Sequence, residues 1–207
     1  MAYFPFFAEL SEKRGLIVGG GVVALRKVQK LLPYGPRLTV VAPELGAEIR
    51  AIGGLDLRER PFAPEDLALS DFVIAATDDH TLNHQIAERC KAQKIPVNVV
   101  DCKEDCSFLF PALVKRGELS VGISTSGAGP TAAIYLKEQI EALLPERFEE
   151  ILACLEKTRE IVKEQIPGEN ARKRLLRELF YDCMGDGRPL ADEELEEKRR
   201  TAQEETC

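Results

Sequence analysis

Between Val18 and Ala24 the chain reads Val-Gly-Gly-Gly-Val-Val-Ala, which fits G-x-G-x-x-A with Gly19, Gly21 and Ala24 in the fixed places. Each place has a physical reason. Gly19 permits a tight turn out of a strand. Gly21 lacks the side chain that would keep a pyrophosphate off the backbone, and Ala24 lets the following helix pack close to a sheet. The helix start then offers unpaired N–H groups and the positive dipole end to phosphate. A lone glycine turn is as often only a turn. Here an apolar run, Gly15 to Gly19, precedes it, a helical pattern follows, and a second strand ends about 20 residues on. That context points to a dinucleotide.

A second group of residues sits where apolar runs end. Ligands of open parallel sheets lie beyond the carboxyl ends of the strands. Asp101 follows Val97-Asn98-Val99-Val100 at such an end. A carboxylate there can take the proton released as a hydride leaves, or help to desolvate a metal; a turn or capping aspartate is the alternative. Glu44, after Ala42-Pro43, reads equally as an acceptor for an adenosine ribose and as a helix-start residue favoured by the dipole. Thr77-Asp78-Asp79 reads both as cofactor-cleft lining and as the cap of a helix from Thr81. No arginine follows the second strand closely, which favours NAD over NADP. Ser124-Thr125-Ser126-Gly127-Ala128-Gly129-Pro130 leads into a helix, and its hydroxyl and N–H groups suit carboxylates.

Other clusters read more blandly. His80 and His84 stand four apart on one helix face, a spacing that can bind a metal, but exposed or packing histidines are the preferred reading. Cys102 and Cys106 read as reduced thiols rather than ligands, and no metal site is assigned. Arg172, Lys173, Arg174 and Arg177 form a basic run that could steer an anionic substrate, although a solvated helix face is preferred.

The elements that must position these residues alternate. Strands are expected at Gly15–Gly19, Arg37–Ala42, Leu55–Arg60, Phe72–Thr77 and Pro96–Val100, with helices at Val22–Leu32, Glu44–Ile52 and Thr81–Gln93. Continuous apolar strands between helices predict a doubly wound parallel α/β sheet covered on both faces. Beyond Asp101, strands at Ser107–Pro111 and Leu119–Thr125 are expected, joined through Lys115-Arg116-Gly117-Glu118 and open to pairing with a partner subunit. Helices at Pro130–Leu144, Arg147–Gln165 and Ala171–Met184 follow. The tail Gly185–Cys207 is polar and expected to be poorly ordered at its end.

Composition sets outer bounds. Of 207 residues 44% are hydrophobic, enough for one core or one core and a small second module. The net charge of -7 argues against nucleic acid as a partner. No run of about 18 apolar residues suggests a membrane span. The opening Met1-Ala2-Tyr3-Phe4-Pro5 lacks an export-signal pattern, so a cytoplasmic protein with its six cysteines reduced is expected.

At this point the chain resembles the precorrin-2 dehydrogenase family, which also forms the N-terminal part of siroheme synthase. The matching residues run in order: Tyr3-Phe4-Pro5, Val18 through Lys27, Val40-Val41-Ala42-Pro43-Glu44, Ala75-Ala76-Thr77-Asp78-Asp79, Val97-Asn98-Val99-Val100-Asp101, Ser107-Phe108-Leu109-Phe110-Pro111-Ala112 and Ser124-Thr125-Ser126-Gly127. The resemblance implies NAD-dependent oxidation of precorrin-2 to sirohydrochlorin on the route to siroheme, by a homodimer; some members also insert iron. It implies a Rossmann-type domain at 1–112, a dimerisation region at 113–145 and a helical C-terminal domain at 146–207. It places catalysis on Asp101, cofactor contacts on Gly19, Gly21, Val22, Val23, Pro43, Glu44, Thr77 and Asp78, and substrate contacts on Ser124, Thr125 and Ser126. The family often has a serine before Pro130; this chain has Gly129, which removes a hydroxyl there. Two competing readings are an NAD(H)-sensing regulatory module, which needs no carboxylate after the fifth strand, and a chelatase alone, which needs no cofactor.

Overall fold

The computed structural model describes residues 3–204, so Cys207 and the extreme N-terminus lie outside the described residues. Five strands form one parallel sheet: β1 (Arg14–Val18), β2 (Arg37–Ala42), β3 (Asp56–Glu59), β4 (Phe72–Ala75) and β5 (Val97–Val99), in the order β3-β2-β1-β4-β5. The order reverses between β1 and β4, the switch point at which such sheets bind ligands. Strand residues alternate between two apolar layers. Ile17, Val40 and Ile74 face helix α1 (Val22–Leu31) and the short α2 (Ala47–Arg50), packing with Ala24, Leu25, Val28 and Ile49. Leu16, Val18, Val41, Val73, Ala75, Val97 and Val99 face helix α3 (His80–Gln93), packing with Ile86, Ala87 and Cys90. Burial on both faces is why these strands read as unbroken apolar runs.

Three elements of this sheet and its loops differ from expectation for local reasons. The helix expected over Glu44–Ile52 shrinks to Ala47–Arg50, because Gly46 donates its N–H to the Gly20 carbonyl (3.0 Å) and Leu45 is buried beneath the loop. Strand β4 stops at Ala75, because Thr77 turns away into bonds with Asn83. No strand forms at Ser107–Pro111. Instead, Ser107 is tied to β5 through its side chain: its Oγ accepts from the Val97 N–H (2.8 Å). The Phe108 carbonyl accepts from Asn98 Nδ2 (3.0 Å).

These elements make one compact unit, Phe4–Phe110, and residues from Pro111 onward make another. The second unit opens with an antiparallel hairpin, β6 (Ala112–Arg116) and β7 (Leu119–Ile123), turning through left-handed Gly117. Four helices follow: α4 (Pro130–Leu143), α5 (Phe148–Gln165), α6 (Glu169–Asp186) and α7 (Asp192–Glu204). Helix α7 occupies most of the polar tail, and the end expected to be poorly ordered, beyond Glu204, lies outside the described residues. Leu195 and Ala202, two turns apart, bury their side chains with Leu175, Leu179 and Cys183. Glu194 caps the helix by accepting from the Ala191 N–H (2.6 Å) and holds Arg188 in a two-pronged pair (2.8 and 3.0 Å). Lys198 reaches Glu178 and Asp182, both at 2.6 Å. The tail's charges are thus partners for its neighbours, so high polarity here coexists with a packed stripe.

At the edge of the first unit, the Asp66 side chain is 2% exposed and accepts from Arg58 (3.0 Å), Arg60 (2.5 and 2.8 Å) and the Ala63 N–H (2.9 Å). The Arg60 guanidinium holds its carboxyl down at about 2. A carboxyl whose pKa is lowered on folding stabilises the folded state above its ordinary value, and that contribution disappears as pH falls through the folded value. Asp66→Asn is therefore expected to lower stability by about 2 kcal/mol near pH 7. Chemical unfolding at several pH values checks this: the difference from wild type should shrink between about pH 4 and pH 2.

Candidate active site

The glycine turn is fixed by the two loops beside it. Gly19 has φ 126°, and a Cβ there would stand 2.2 Å from the Ala76 carbonyl oxygen. A Cβ on Gly20 would stand 2.0 Å from the Glu44 carbonyl oxygen. Backbone bonds stitch the same contacts: Gly19 N–H to Val41 O (2.9 Å), Ala76 N–H to Val18 O (2.7 Å) and Gly46 N–H to Gly20 O (3.0 Å). The sequence motif assigns functions to Gly19 and Gly21. The structure adds Gly20 as a glycine required by packing, a signal present only as an extra glycine inside the motif.

Gly21 is different. A Cβ there would meet no heavy atom within 4 Å. It caps α1 with extended backbone, no side chain bonds to the helix start, and the first turn holds no acidic residue. The first N–H groups of a helix have no partner within it. Val22 and Val23, which carry two of them, are exposed. The residues present therefore fit a pyrophosphate: an open cradle, free donors and a positive dipole end.

The flanking loops place the other expected cofactor residues. Pro43 and Glu44 are exposed after β2, and Glu44 lies outside α2, whose cap is Gly46. Arg50 turns back toward this loop, but its guanidinium is engaged by Glu59 and by the Leu45 carbonyl (3.1 Å). After β4, Asp79 caps α3, accepting from the Thr81 and Leu82 N–H groups (2.9 and 3.0 Å). The Thr77 hydroxyl donates to Asn83 Oδ1 (2.8 Å), and Asn83 Nδ2 returns a bond to the Thr77 carbonyl (2.8 Å). Asp78 between them is exposed. Asn83, buried in the first turn of α3, is thus the residue that shapes this loop, and sequence reading missed it.

Asp101 stands just past β5, whose end is tied to β4 by the Val100 N–H to Ala75 O bond (3.0 Å). It is exposed and held at φ 60°, a left-handed conformation that side chains rarely adopt and that tends to gather at functional sites. Asp101 also acts electrostatically on Lys27 of α1, a residue the sequence motif contains without assigning it a role. Lys27 Nζ lies 3.3 Å from Asn98 Oδ1 and 3.8 Å from the centroid of the Phe110 ring.

The histidine and cysteine clusters have partners of their own. Asp105 is buried and receives His84 Nδ1 (2.8 Å), Lys91 Nζ (3.1 Å) and the Cys102 thiol (3.4 Å). His84 chiefly, with Lys91, holds its carboxyl below the usual range. Burial pushes the Cys106 thiol up, and its sulfur accepts from the Val99 N–H (3.1 Å). Among the described residues, no three His, Cys, Asp or Glu side chains converge on a metal position.

Ser124, Thr125 and Ser126 lie in the second unit, between β7 and α4. Ser124 Oγ accepts from the Ser126 N–H and Thr125 Oγ1 from the Gly129 N–H, each at 3.2 Å. Ser126 is left-handed at φ 53°. Gly129 caps α4 without a side-chain bond, so the helix start before Pro130 has no hydroxyl of its own. On α6, Lys173 pairs with Glu169 (2.5 Å), Arg172 Nε donates to the Gly168 carbonyl (3.3 Å) and Arg177 lies 5.6 Å from the Tyr181 ring centroid.

Comparison with known proteins agrees with this geometry. A family model described as "Putative NAD(P)-binding" matches residues 6–112, and one described as "Sirohaem biosynthesis protein central" matches 116–143. The chain is 40% identical over 183 residues to the "Siroheme synthase" of Thioalkalivibrio sulfidiphilus, covering 87% of this chain and 37% of that protein. It is 37% identical over 206 residues to the "Siroheme synthase" of Pseudomonas aeruginosa strain UCBPP-PA14, covering 96% and 44%. The chain spans less than half the length of these relatives. A solved structure, "SirC, precorrin-2 dehydrogenase", matches with a TM-score of 0.75 and 27% identity, over 98% of this chain and 100% of that one.

Gly19 and Gly21 make opposite predictions for the same small change. Gly19→Ala places a methyl against the Ala76 carbonyl at a φ hostile to alanine, and should cost about 2 to 4 kcal/mol in thermal or denaturant unfolding. Gly21→Ala should leave unfolding within about 1 kcal/mol, since the methyl points into open space. It should nevertheless weaken NAD binding about tenfold or more by calorimetric titration, and Gly21→Asp should abolish binding.

Proposed function

The chain belongs to the NAD(P)-binding family of siroheme synthases and precorrin-2 dehydrogenase, and from that premise we propose that it oxidises precorrin-2 to sirohydrochlorin with NAD as acceptor. The observation that carries the reading is Asp101, an exposed carboxylate at the end of β5 on the same sheet edge as the open cradle at Gly21. When bound, the dinucleotide supplies a two-electron acceptor. The oxidation releases a hydride equivalent and a proton from the substrate, and the Asp101 carboxylate takes the proton.

The remaining roles follow the layout. Gly19, Gly21, Val22 and Val23 hold the pyrophosphate through backbone, Pro43 and Glu44 meet the adenosine ribose, and Thr77 and Asp78 line the cleft. NAD is favoured over NADP because Arg50, the cation of the ribose loop, is spent on Glu59. Ser124, Thr125 and Ser126 are assigned to substrate carboxylates.

Dimerisation is assigned to residues 113–145. Two facts support it: a hairpin of only two strands, which is marginal by itself, and the exposed Ile134, Tyr135, Leu136 and Leu143 of α4 and its end. No helix among the described residues is long and apolar enough to cross a membrane, and a cytoplasmic setting suits the free thiols.

The test is anaerobic mixing of the protein, NAD and enzymatically made precorrin-2, with absorbance recording NADH and sirohydrochlorin together. Asp101→Asn should keep NAD affinity and lose about 100- to 10,000-fold in turnover. Wild-type turnover in that variant would remove Asp101 from the chemistry, and NAD binding without any turnover by the native protein would replace the enzyme with a sensor. Ferrous or cobalt ions added afterwards reveal whether metal insertion follows.

A further inference from the structure

Lys27 is half-buried and highly constrained. Asn98, which faces it, cannot turn its amide. Its Nδ2 donates to the Phe108 carbonyl (3.0 Å) and toward the Cys106 sulfur (3.4 Å), which leaves only its oxygen for Lys27 (3.3 Å). The Phe110 ring occupies a second side of the ammonium at 3.8 Å. An ammonium has three donors, so this setting leaves at least one unspent.

Desolvation presses the Lys27 ammonium down to about 8, assisted by Lys30 and opposed by Cys106 and Asp101. Structural packing alone does not call for that charge. A methionine of similar length would cover Phe110 without desolvating an ion. An anionic ligand gives the charge its use, because it restores what burial removes.

The surroundings extend the same chemistry. Val23, Arg26, Lys27, Gln29 and Lys30 border an open concavity of about 320 Å³ along α1. Arg26 and Lys30 are exposed and form no ion pair among the described residues. A flank of three cations in a chain of net charge -7 is a local reversal of sign and attracts a polyanion. The cofactor's phosphates are provided for elsewhere, at the helix start. Lys27 lies six residues further on, about 9 Å along the axis, and its ammonium rests against β5 rather than the glycine turn.

We propose that Lys27 seats one carboxylate arm of the tetrapyrrole, with Arg26 and Lys30 as the outer cations of the same flank. This rests on the precorrin-2 reading above. Lys27 touches substrate side chains and not the reacting carbons, so its loss acts on binding.

Steady-state kinetics at saturating NAD supply the test. Lys27→Met should raise KM for precorrin-2 about 10- to 100-fold, with kcat within about threefold of wild type and KM for NAD unchanged. Lys27→Arg should recover most of the loss. Equilibrium titration with sirohydrochlorin should show the same weakening without any turnover. The exposed double variant Arg26→Gln/Lys30→Gln, which leaves the core untouched, should weaken sirohydrochlorin binding several-fold and serves if Lys27→Met does not fold. Unchanged KM and sirohydrochlorin affinity in these variants would overturn the assignment, as would a loss confined to NAD. Should the native protein fail to oxidise precorrin-2, the dehydrogenase reading falls, while the sirohydrochlorin titrations still decide Lys27.

Discussion

The first unit depends on the near-contact of backbone with backbone at Gly19 and Gly20. These residues leave β1 at the switch point and are wedged between the turn after β4 and the loop after β2, each against a carbonyl oxygen that a side chain would strike. Because the neighbours are themselves backbone, nothing can swing aside, so the requirement for glycine is absolute at both. The wedge aligns three loops along one sheet edge. The next residue, Gly21, caps α1 through its backbone, and no neighbour within 4 Å requires its side chain to be missing. Within one triplet, two glycines are required by packing and the third is not.

What the sequence reveals and what it hides divide along physical lines. The parallel sheet is legible because strands buried on both faces must be apolar throughout, as Leu16-Ile17-Val18 and Val73-Ile74-Ala75 are. The glycine turn is legible because its constraint is local. Asn83 and Asn98 are not, because each satisfies a group in a turn outside its own helix or strand, the Thr77 turn and the Phe108 carbonyl, and no residue pattern marks that bond. Helix α7 is hidden for a related reason. Its apolar content is two residues seven apart, Leu195 and Ala202, and their value depends on a groove offered by α5 and α6. A polar segment with a sparse stripe looks like a solvated tail until its partner surface is known.

The expected site residues differ in how free they are to act. Thr77 and the hydroxyls of Ser124 and Thr125 already satisfy nearby backbone or side-chain groups. Any ligand they meet must share or displace those bonds, or use the N–H groups they position. Asp78, Glu44 and Asp101 are exposed carboxylates with no such commitment beyond long-range electrostatics. Asp101 alone among these three carries a left-handed backbone. An aspartate in this conformation costs of order 1 kcal/mol relative to glycine, and the role proposed above gives its carboxylate a use.

Charge placement follows the same logic. Several cations of this acidic chain are neutralised locally: Arg60 by Asp66, Arg50 by Glu59, Lys91 by Asp105 and Lys198 by Glu178 and Asp182. The α1 flank differs in kind: exposed Arg26 and Lys30 form no ion pair among the described residues, and half-buried Lys27 is held by a neutral amide and a ring. Neutral partners position an ammonium without cancelling its charge, whereas a carboxylate partner would have cancelled it. The phosphate cradle at the start of α1 and the cationic flank further along it are therefore two anion-seeking surfaces on one helix, one built from backbone and one from side chains. On the function proposed above, the first surface holds the dinucleotide and the second a carboxylate arm of the tetrapyrrole.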